Sequence, residues 1–487
     1  MKPFSAQDLA DATSGELHGI EPDAQLSAGV VTDSRDVAAG DVYVARRGEL
    51  ADGLDFAPAA IDAGAALIVA EAVPSVDGQH LPTLLVQDAT EALGRIARLN
   101  VESLRSDGDL TVVAITGSAG KTTVKDLVGD LLSAAGETVW PPRSFNNEVG
   151  VPLTALQAGD STRFLVLEMG ARSIGNLTYL TSIVTPDVGV ELMVGTAHSG
   201  VFGSIENTAR AKAELVESLR AGGTAVLNAD DPQVRAMADV LADGVDVLWF
   251  SAAGRDGVAG SSAPVVSAAD VRTGASGRPA FTLTVPGGEP TPVELALLGE
   301  HHVANALAAA AVAHRCGLSE RAIVTTLRTS GAASRWRMEL IDSPQGITVL
   351  NDAYNANPDS MRSALKTLAA MGRGDDENPS RRTVAVIGEM LELGEESREA
   401  HADIGELVVR LNIDRTIAVG DGARPVFQAA ELEGSWGSEA VWVATLAEAR
   451  DLLRAELQPG DLVLFKSSND AGLRFLGDEI AGVTVSS

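Results

Sequence analysis

The chain has 487 residues, 45% of them apolar, which suits about three domains with substantial cores. Its 67 acidic residues against 37 Lys and Arg leave a net charge of -30, which opposes non-specific binding to nucleic acid or to an anionic membrane, so any anionic ligand must be met by local cations or backbone N–H groups. The single cysteine, Cys316, rules out an intrachain disulfide and a thiolate zinc cluster. No apolar run is long enough to cross a bilayer, so a cytoplasmic monomer without stable membrane insertion is expected.

From Met1 to about Asp107, strand-like runs such as Val42-Tyr43-Val44-Ala45 and Ala66-Leu67-Ile68-Val69-Ala70 accompany helical stretches at Ala57–Ala63 and Ala89–Arg105. The polar Ser106-Asp107-Gly108-Asp109 reads as a joint. The second block, residues 108–330, opens on Thr111-Val112-Val113-Ala114-Ile115-Thr116-Gly117-Ser118-Ala119-Gly120-Lys121-Thr122-Thr123. Four β-branched residues before Thr116 suit a covered strand, and Val124 to Leu132 continues with helical apolar spacing. The loop between them therefore presents backbone N–H groups and a helix N-terminus to phosphate, with Lys121 reaching the β- and γ-phosphates and the Thr122 hydroxyl on Mg2+. Ile115 stands where the general P-loop pattern has glycine, so the match is to the shorter Thr-Gly-x-x-Gly-Lys-Thr-Thr form. The competing reading is a solvated Gly/Ser turn, which the strand and helix on either side disfavour.

Further strands are expected at Arg163–Leu167, Val188–Leu192, Thr224–Leu227 and Val245–Phe250, alternating with helices, which implies a mostly parallel covered sheet. Glu168 emerges at the carboxyl end of the first, where open α/β sheets bind ligands, and His198 follows the second toward the same edge. Each alone would be a surface acid or a loop histidine; together beside a P-loop they suggest a site. Lys212, in Thr208-Ala209-Arg210-Ala211-Lys212, reads by spacing as a solvated helical lysine. Ser251–Ser262 reads as a mobile loop, Phe281–Val285 with Val293–Leu297 as a small antiparallel addition, and His302–Cys316 as an alanine-rich helix. Residues 331–487 form a third α/β block, dinucleotide-fold-like without its glycine signature, with strands at Ile347–Leu350, Thr383–Ile387, Thr416–Val419, Val441–Ala444 and Leu462–Phe465. In Asp352-Ala353-Tyr354-Asn355-Ala356-Asn357-Pro358, a strand end meets a helix start; an Asx-rich capping turn and a functional loop are equally good readings.

These segments together resemble the Mur ligases of peptidoglycan synthesis over nearly the whole chain. The matching pieces include Thr32-Asp33-Ser34-Arg35, the P-loop, Asn146-Asn147-Glu148, Glu168-Met169-Gly170, Ala197-His198, Gly299-Glu300-His301 with Asn305, Arg337-Met338-Glu339, the Asp352–Pro358 stretch and Gly388-Glu389-Met390. The Asp-Ala-Tyr-Asn-Ala-Asn-Pro sequence discriminates best within the family. The resemblance implies three α/β domains: a UDP-sugar-peptide-binding unit at 1–107, an ATP-binding unit at 108–330 and a Rossmann-like unit at 331–487 that closes on ATP and binds the incoming dipeptide. It implies ATP- and Mg2+-dependent ligation of D-alanyl-D-alanine to UDP-N-acetylmuramoyl-tripeptide through an acyl phosphate.

By the same resemblance, Lys121, Glu168, His198 and Lys212 are catalytic. Thr122, Glu168, His198 and a carbamylated Lys212 would hold metal. Thr116 to Thr123, Asn147, His301, Asn305, Arg337 and Asp352 would surround ATP, while Ser34, Arg35, Asn146, Asn355 and Asn357 would hold the other substrates. Arg35 could equally be a surface ion-pair residue. Two departures from the family pattern are Met193, where asparagine is usual, and Lys466-Ser467-Ser468-Asn469, which lacks an arginine near the third-block cleft. Ligation of another amino acid or of a folate-type glutamate tail, and a nucleotide-binding switch without turnover, stand as alternatives.

Overall fold

The computed structural model describes residues 1–48, 51–195, 203–254, 262–331, 334–434 and 439–483. Three sheets organise the chain. The first has five strands in the order Glu16–His18, Thr83–Leu85, Leu67–Ala70, Val42–Val44 and Val30–Val31, parallel except for the edge pair that Glu16–His18 makes with Thr83–Leu85. Asp88 caps the helix Ala89–Asp107 by accepting from Thr90 and Glu91 N–H, a contribution of about 1 kcal/mol. That helix runs through Ser106 and Asp107, so the expected polar joint is shorter than its sequence suggests. Its apolar face, Leu93, Ile96 and Ala97, shares one core with Val112, Ala114 and Leu165 of the next sheet. The buried Asn100 amide fastens the two together by donating to the carbonyls of Ala155 and Ala158, at 3.0 and 3.1 Å.

The central sheet has nine strands, ordered Thr138–Val139, Phe164–Glu168, Thr111–Thr116, Val188–Glu191, Thr224–Asn228, Asp246–Ser251, Val265–Thr273, Pro279–Thr284 and Thr291–Glu294. The first seven are mutually parallel and the last two antiparallel. The antiparallel addition is therefore an extension of the main sheet. Val265–Thr273 bridges the two parts, a strand the sequence reading missed because only its first half is buried. Most of the expected Ser251–Ser262 loop, residues 255–261, lies outside the described residues.

Parallel strands need crossovers, and helices on both faces supply them: their apolar stripes cover strands that are buried on both sides, which is why TVVAIT and FLVLE read as continuous rather than alternating runs. The third sheet, Glu339–Asp342, Thr348–Asn351, Leu462–Lys466, Thr383–Ile387, Arg415–Val419 and Ala440–Val443, is parallel except for its first strand. It approaches the central unit closely. A Cβ on Gly195 would lie 2.5 Å from Asp359 Oδ2, and Ser334 Oγ donates to Asp126 Oδ2 at 2.9 Å.

Candidate active site

The P-loop strand is flanked on both sides by strands ending in glutamate: Ile115 is in register with Glu168 and Thr116 with Glu191. Gly117 and Gly120 have φ of +151° and +85°, and neither could carry a side chain. A Cβ would meet Leu192 Cβ at 2.8 Å in the first case and Asn305 Oδ1 at 2.5 Å in the second. The loop is tied to its neighbour by Ser118 N–H donating to Met193 O and Gly195 N–H donating to Ser118 Oγ, both at 2.9 Å. No side chain caps the helix Lys121–Ser133, which leaves its first-turn N–H groups available to an anion. Lys121 Nζ folds back to donate to Gly117 O at 2.7 Å; burial lowers its pKa from the usual lysine value, with Glu168 opposing that shift.

Glu168 gathers three donors from two segments. Thr122 Oγ1 bonds one carboxylate oxygen at 2.9 Å, while Ser144 Oγ and Asn146 Nδ2 bond the other at 2.5 and 2.8 Å. A hydroxyl paired with a carboxylate at the mouth of a phosphate loop is a hard-oxygen donor set that fits Mg2+. No group of three or more His, Cys, Asp and Glu placed to hold a metal ion occurs among the described residues, and His198 lies outside them. Lys212 corrects the spacing argument: it is 3% exposed, because the helix Ile205–Glu217 turns it toward the sheet. Burial pushes its pKa down to about 7, Lys121 adding to the shift and Glu191 opposing it.

The third block closes the cleft. Lys466 Nζ pairs with Asp352 Oδ2 at 2.8 Å and donates to the carbonyls of Asp352 and Asn355 at 3.1 and 2.7 Å, so it builds the turn that carries Asn355. The Arg337 guanidinium stacks over Tyr354 at 4.5 Å, with its Nε buried and unpartnered. Trp336 and Met338, on either side of it, have φ of +59° and +50°, a strained backbone that aims Arg337 into the cleft. Asn357 caps the helix Pro358–Arg373, its Oδ1 accepting from Ser360 N–H at 2.8 Å, so the capping reading holds for this residue. Asn147 closes the turn ahead of the helix Gly150–Ala155, its Oδ1 accepting from Gly150 N–H at 2.9 Å.

One cavity of about 680 Å³ joins the P-loop residues Ser118 to Thr123, Asn146, Asn147, Glu168, Lys212, His301, Asn305, Arg337, Asp352, Asn355 and Asn357. Thr116 and Gly117 do not line it. Ser34 and Arg35 do not line it; Arg35 is exposed and paired with Asp33 at 2.5 Å. A second concavity of about 700 Å³ sits at the antiparallel edge of the central sheet, around Arg272, Arg278 and Phe281, and none of the candidate site residues lines it. Sequence reasoning missed Ser144, Asp359 and Glu191. Only Glu191 carried a signal, as an acid inside the apolar run Val188-Gly189-Val190-Glu191-Leu192.

Comparison with known proteins gives three family matches: the Mur ligase family catalytic domain at residues 27–100, the Mur ligase middle domain at 115–313 and the Mur ligase glutamate ligase domain at 336–469. The chain is 42% identical to a UDP-N-acetylmuramoyl-tripeptide--D-alanyl-D-alanine ligase of Mycobacterium leprae, over 97% of each chain. It is 33% identical to the Escherichia coli protein of the same name, also over 97% of each. Among solved structures, MurF of Acinetobacter baumannii superposes with a TM-score of 0.84 at 30% identity, covering 99% of both chains. MurF ligase of Thermotoga maritima in complex with ADP gives 0.76 at 27%, covering 93% of this chain and 96% of that one.

Proposed function

The chain belongs to the Mur ligase family, and from that membership we infer an ATP-dependent ligase of peptidoglycan synthesis that joins D-alanyl-D-alanine to UDP-N-acetylmuramoyl-tripeptide. The observation that carries this reading to the geometry is the single cleft in which the P-loop, the Thr122–Glu168 pair and the Asn355–Asn357 turn face one another. A carboxylate is a poor electrophile, so the tripeptide's terminal carboxylate first attacks the γ-phosphorus, and the bond to the ADP oxygen breaks. The dipeptide amine then attacks the carbonyl carbon of the acyl phosphate, and inorganic phosphate leaves as the amide forms.

In the first step Lys121 leaves Gly117 O for the γ-phosphate and offsets the charge spread over its oxygens. Thr122 and Glu168 would hold Mg2+, which neutralises phosphate charge when bound. His198 and a carbamate on Lys212 would complete a second metal position. The neutral amine that carbamylation requires is favoured by the buried setting of Lys212. His301, Asn305, Arg337, Asp352 and Asn147 border the nucleotide. Asn146, Asn355 and Asn357 face the acceptor and the dipeptide, and Ser34 and Arg35 hold the nucleotide-sugar end from the first block.

Within this reading, residues 1–107, 108–330 and 331–487 act as the acceptor-binding, ATP-binding and closing units of a cytoplasmic monomer. No helix among the described residues is long and apolar enough to cross a membrane. Closure keeps water from the acyl phosphate.

Phosphate release from MgATP, followed with product mass, tests the reaction. Release should require both UDP-N-acetylmuramoyl-tripeptide and D-alanyl-D-alanine, with a mass gain of one dipeptide, and Lys121→Ala should slow it more than about a thousandfold. Amine-independent release, or none from folded protein, would overturn the assignment.

A further inference from the structure

Five cationic side chains among the described residues line the cleft: Lys121, Arg172, Lys212, Arg337 and Lys466. Four of them are engaged or buried. Lys121 donates to Gly117 O, Lys466 pairs with Asp352, Arg337 stacks over Tyr354, and Lys212 is 3% exposed. Arg172 is exposed, and its guanidinium has neither an acidic partner nor a hydrogen bond to any described residue. Glu148, Asp359 and Asp470 line the same cleft, so a carboxylate that enters it is repelled unless a cation offsets them.

The backbone beneath that free head group is fixed. Arg172 lies four residues past Glu168, and between them Gly170 N–H donates to Asn146 O at 2.8 Å, so the strand exit is tied to a residue that also holds Glu168. Arg172 N–H and Ser173 N–H both donate to Asn176 Oδ1 at 2.9 Å. Glu214, on the helix that carries Lys212, accepts from Thr178 N–H at 2.9 Å and from Gly175 N–H. The N-terminus of the helix Asn176–Ile183 therefore has its own carboxylate, which leaves the Arg172 side chain, and not the helix end, to meet an anion. Further along that helix Tyr179 also lines the cleft, and its Oη lies 3.4 Å from the place that a Cβ on Gly94, in the helix Ala89–Asp107, would take. The wall that carries Arg172 thus runs from Glu168 to the first block. An acceptor held at its sugar end by that block, with its terminal carboxylate at the γ-phosphate, crosses it.

We propose that Arg172 is a specificity-determining residue for the acceptor: its guanidinium takes a carboxylate of the peptide away from the terminal one that is phosphorylated, so the enzyme selects acceptor peptides that carry a second acidic group. The proposal rests on the assignment of this cleft to the ligase reaction. A planar guanidinium meets a carboxylate through two parallel N–H donors, whereas a carboxamide at the same place offers one acceptor and no charge.

Two acceptors that differ in one group, a carboxylate or its carboxamide away from the terminal carboxylate, read this selection. Phosphate release at saturating MgATP and D-alanyl-D-alanine gives KM and kcat for each with full-length wild type, Arg172→Gln and Arg172→Lys. The wild type should prefer the carboxylate acceptor by about tenfold or more in kcat/KM. Arg172→Gln should raise the KM for that acceptor about tenfold with kcat within about threefold, leave the KM for ATP within about twofold, and bring the preference close to one. Arg172→Lys keeps the charge without the paired donors and should fall between the two. Because the guanidinium has no partner in the fold, both variants should unfold at the wild-type urea midpoint.

An Arg172→Gln enzyme with the wild-type acceptor KM would overturn the proposal. So would one weakened equally for both acceptors, or one whose KM for ATP rises as much as that for the acceptor. A wild type that turns over neither acceptor would overturn the ligase assignment and this proposal with it, whereas turnover indifferent to the carboxamide would overturn the role of Arg172 alone.

Discussion

Glu168 and Glu191 end strands on opposite sides of the P-loop strand and are equally buried, 1% and 0% exposed, yet their surroundings differ completely. Glu168 accepts from Thr122, Ser144 and Asn146, so both of its oxygens are hydrogen-bonded. Neither oxygen of Glu191 has a hydrogen-bond partner, and the Thr116 hydroxyl next to it in register is also unpartnered. Burial raises the Glu191 pKa well above the usual carboxylate value, opposed by Lys212 and Lys121, with Asp231 adding to it. Strand position alone sets burial; the supply of donors from elsewhere in the chain decides whether a buried acid is hydrogen-bonded or left without partners.

The largest expected effect is on chemistry at the satisfied acid. Glu168→Gln should lower kcat about 100- to 1000-fold and raise the Mg2+ concentration needed for half-maximal phosphate release. A loss below tenfold would place Glu168 outside the reacting centre.

Stability sharpens the contrast next. Glu168→Leu strands three donors and should cost about 2–4 kcal/mol in urea unfolding. Glu191→Leu combined with Lys212→Met strands no hydrogen-bond partner and removes two buried titratable groups, so it should be neutral or stabilising by up to about 3 kcal/mol. Equal losses from the two would erase the distinction.

The smallest effect concerns another buried atom without a partner, His301 Nδ1. Burial holds the His301 pKa down to about 4, against an ordinary 6.5, with Asp352 opposing and Lys466 adding to the shift. Between those values the unfolded chain binds a proton that the folded one does not. The contribution is therefore intact above pH 6.5 and lost as pH falls toward 4. Urea midpoints measured across that window should fall less steeply in His301→Phe; an unchanged slope would mean that His301 is not buried in its neutral form.

The P-loop, the strand that feeds it and Glu168 at the neighbouring strand end were legible in sequence because each follows from local periodicity and backbone chemistry. Lys212 was legible only by resemblance, since helical spacing makes it a solvated lysine and the sheet that buries it lies elsewhere in the chain. The missing arginine in Lys466-Ser467-Ser468-Asn469 left the role of Lys466 open in sequence, and in the structure it is the internal brace of the Asp352–Asn355 turn. Asn357 carried both readings and is at least a cap, as any asparagine before a proline-led helix can be.

The sequence by itself determined the phosphate loop, the parallel layers and the family, because glycine placement, β-branched runs and short motifs act over a few residues. Only the tertiary structure decided which polar groups are partnered. The donors to Glu168 come from 22 to 46 residues away, and Lys466 reaches Asp352 across 114. Hydrogen-bond satisfaction depends on what folding brings within about 3 Å, and spacing along the chain does not record that distance.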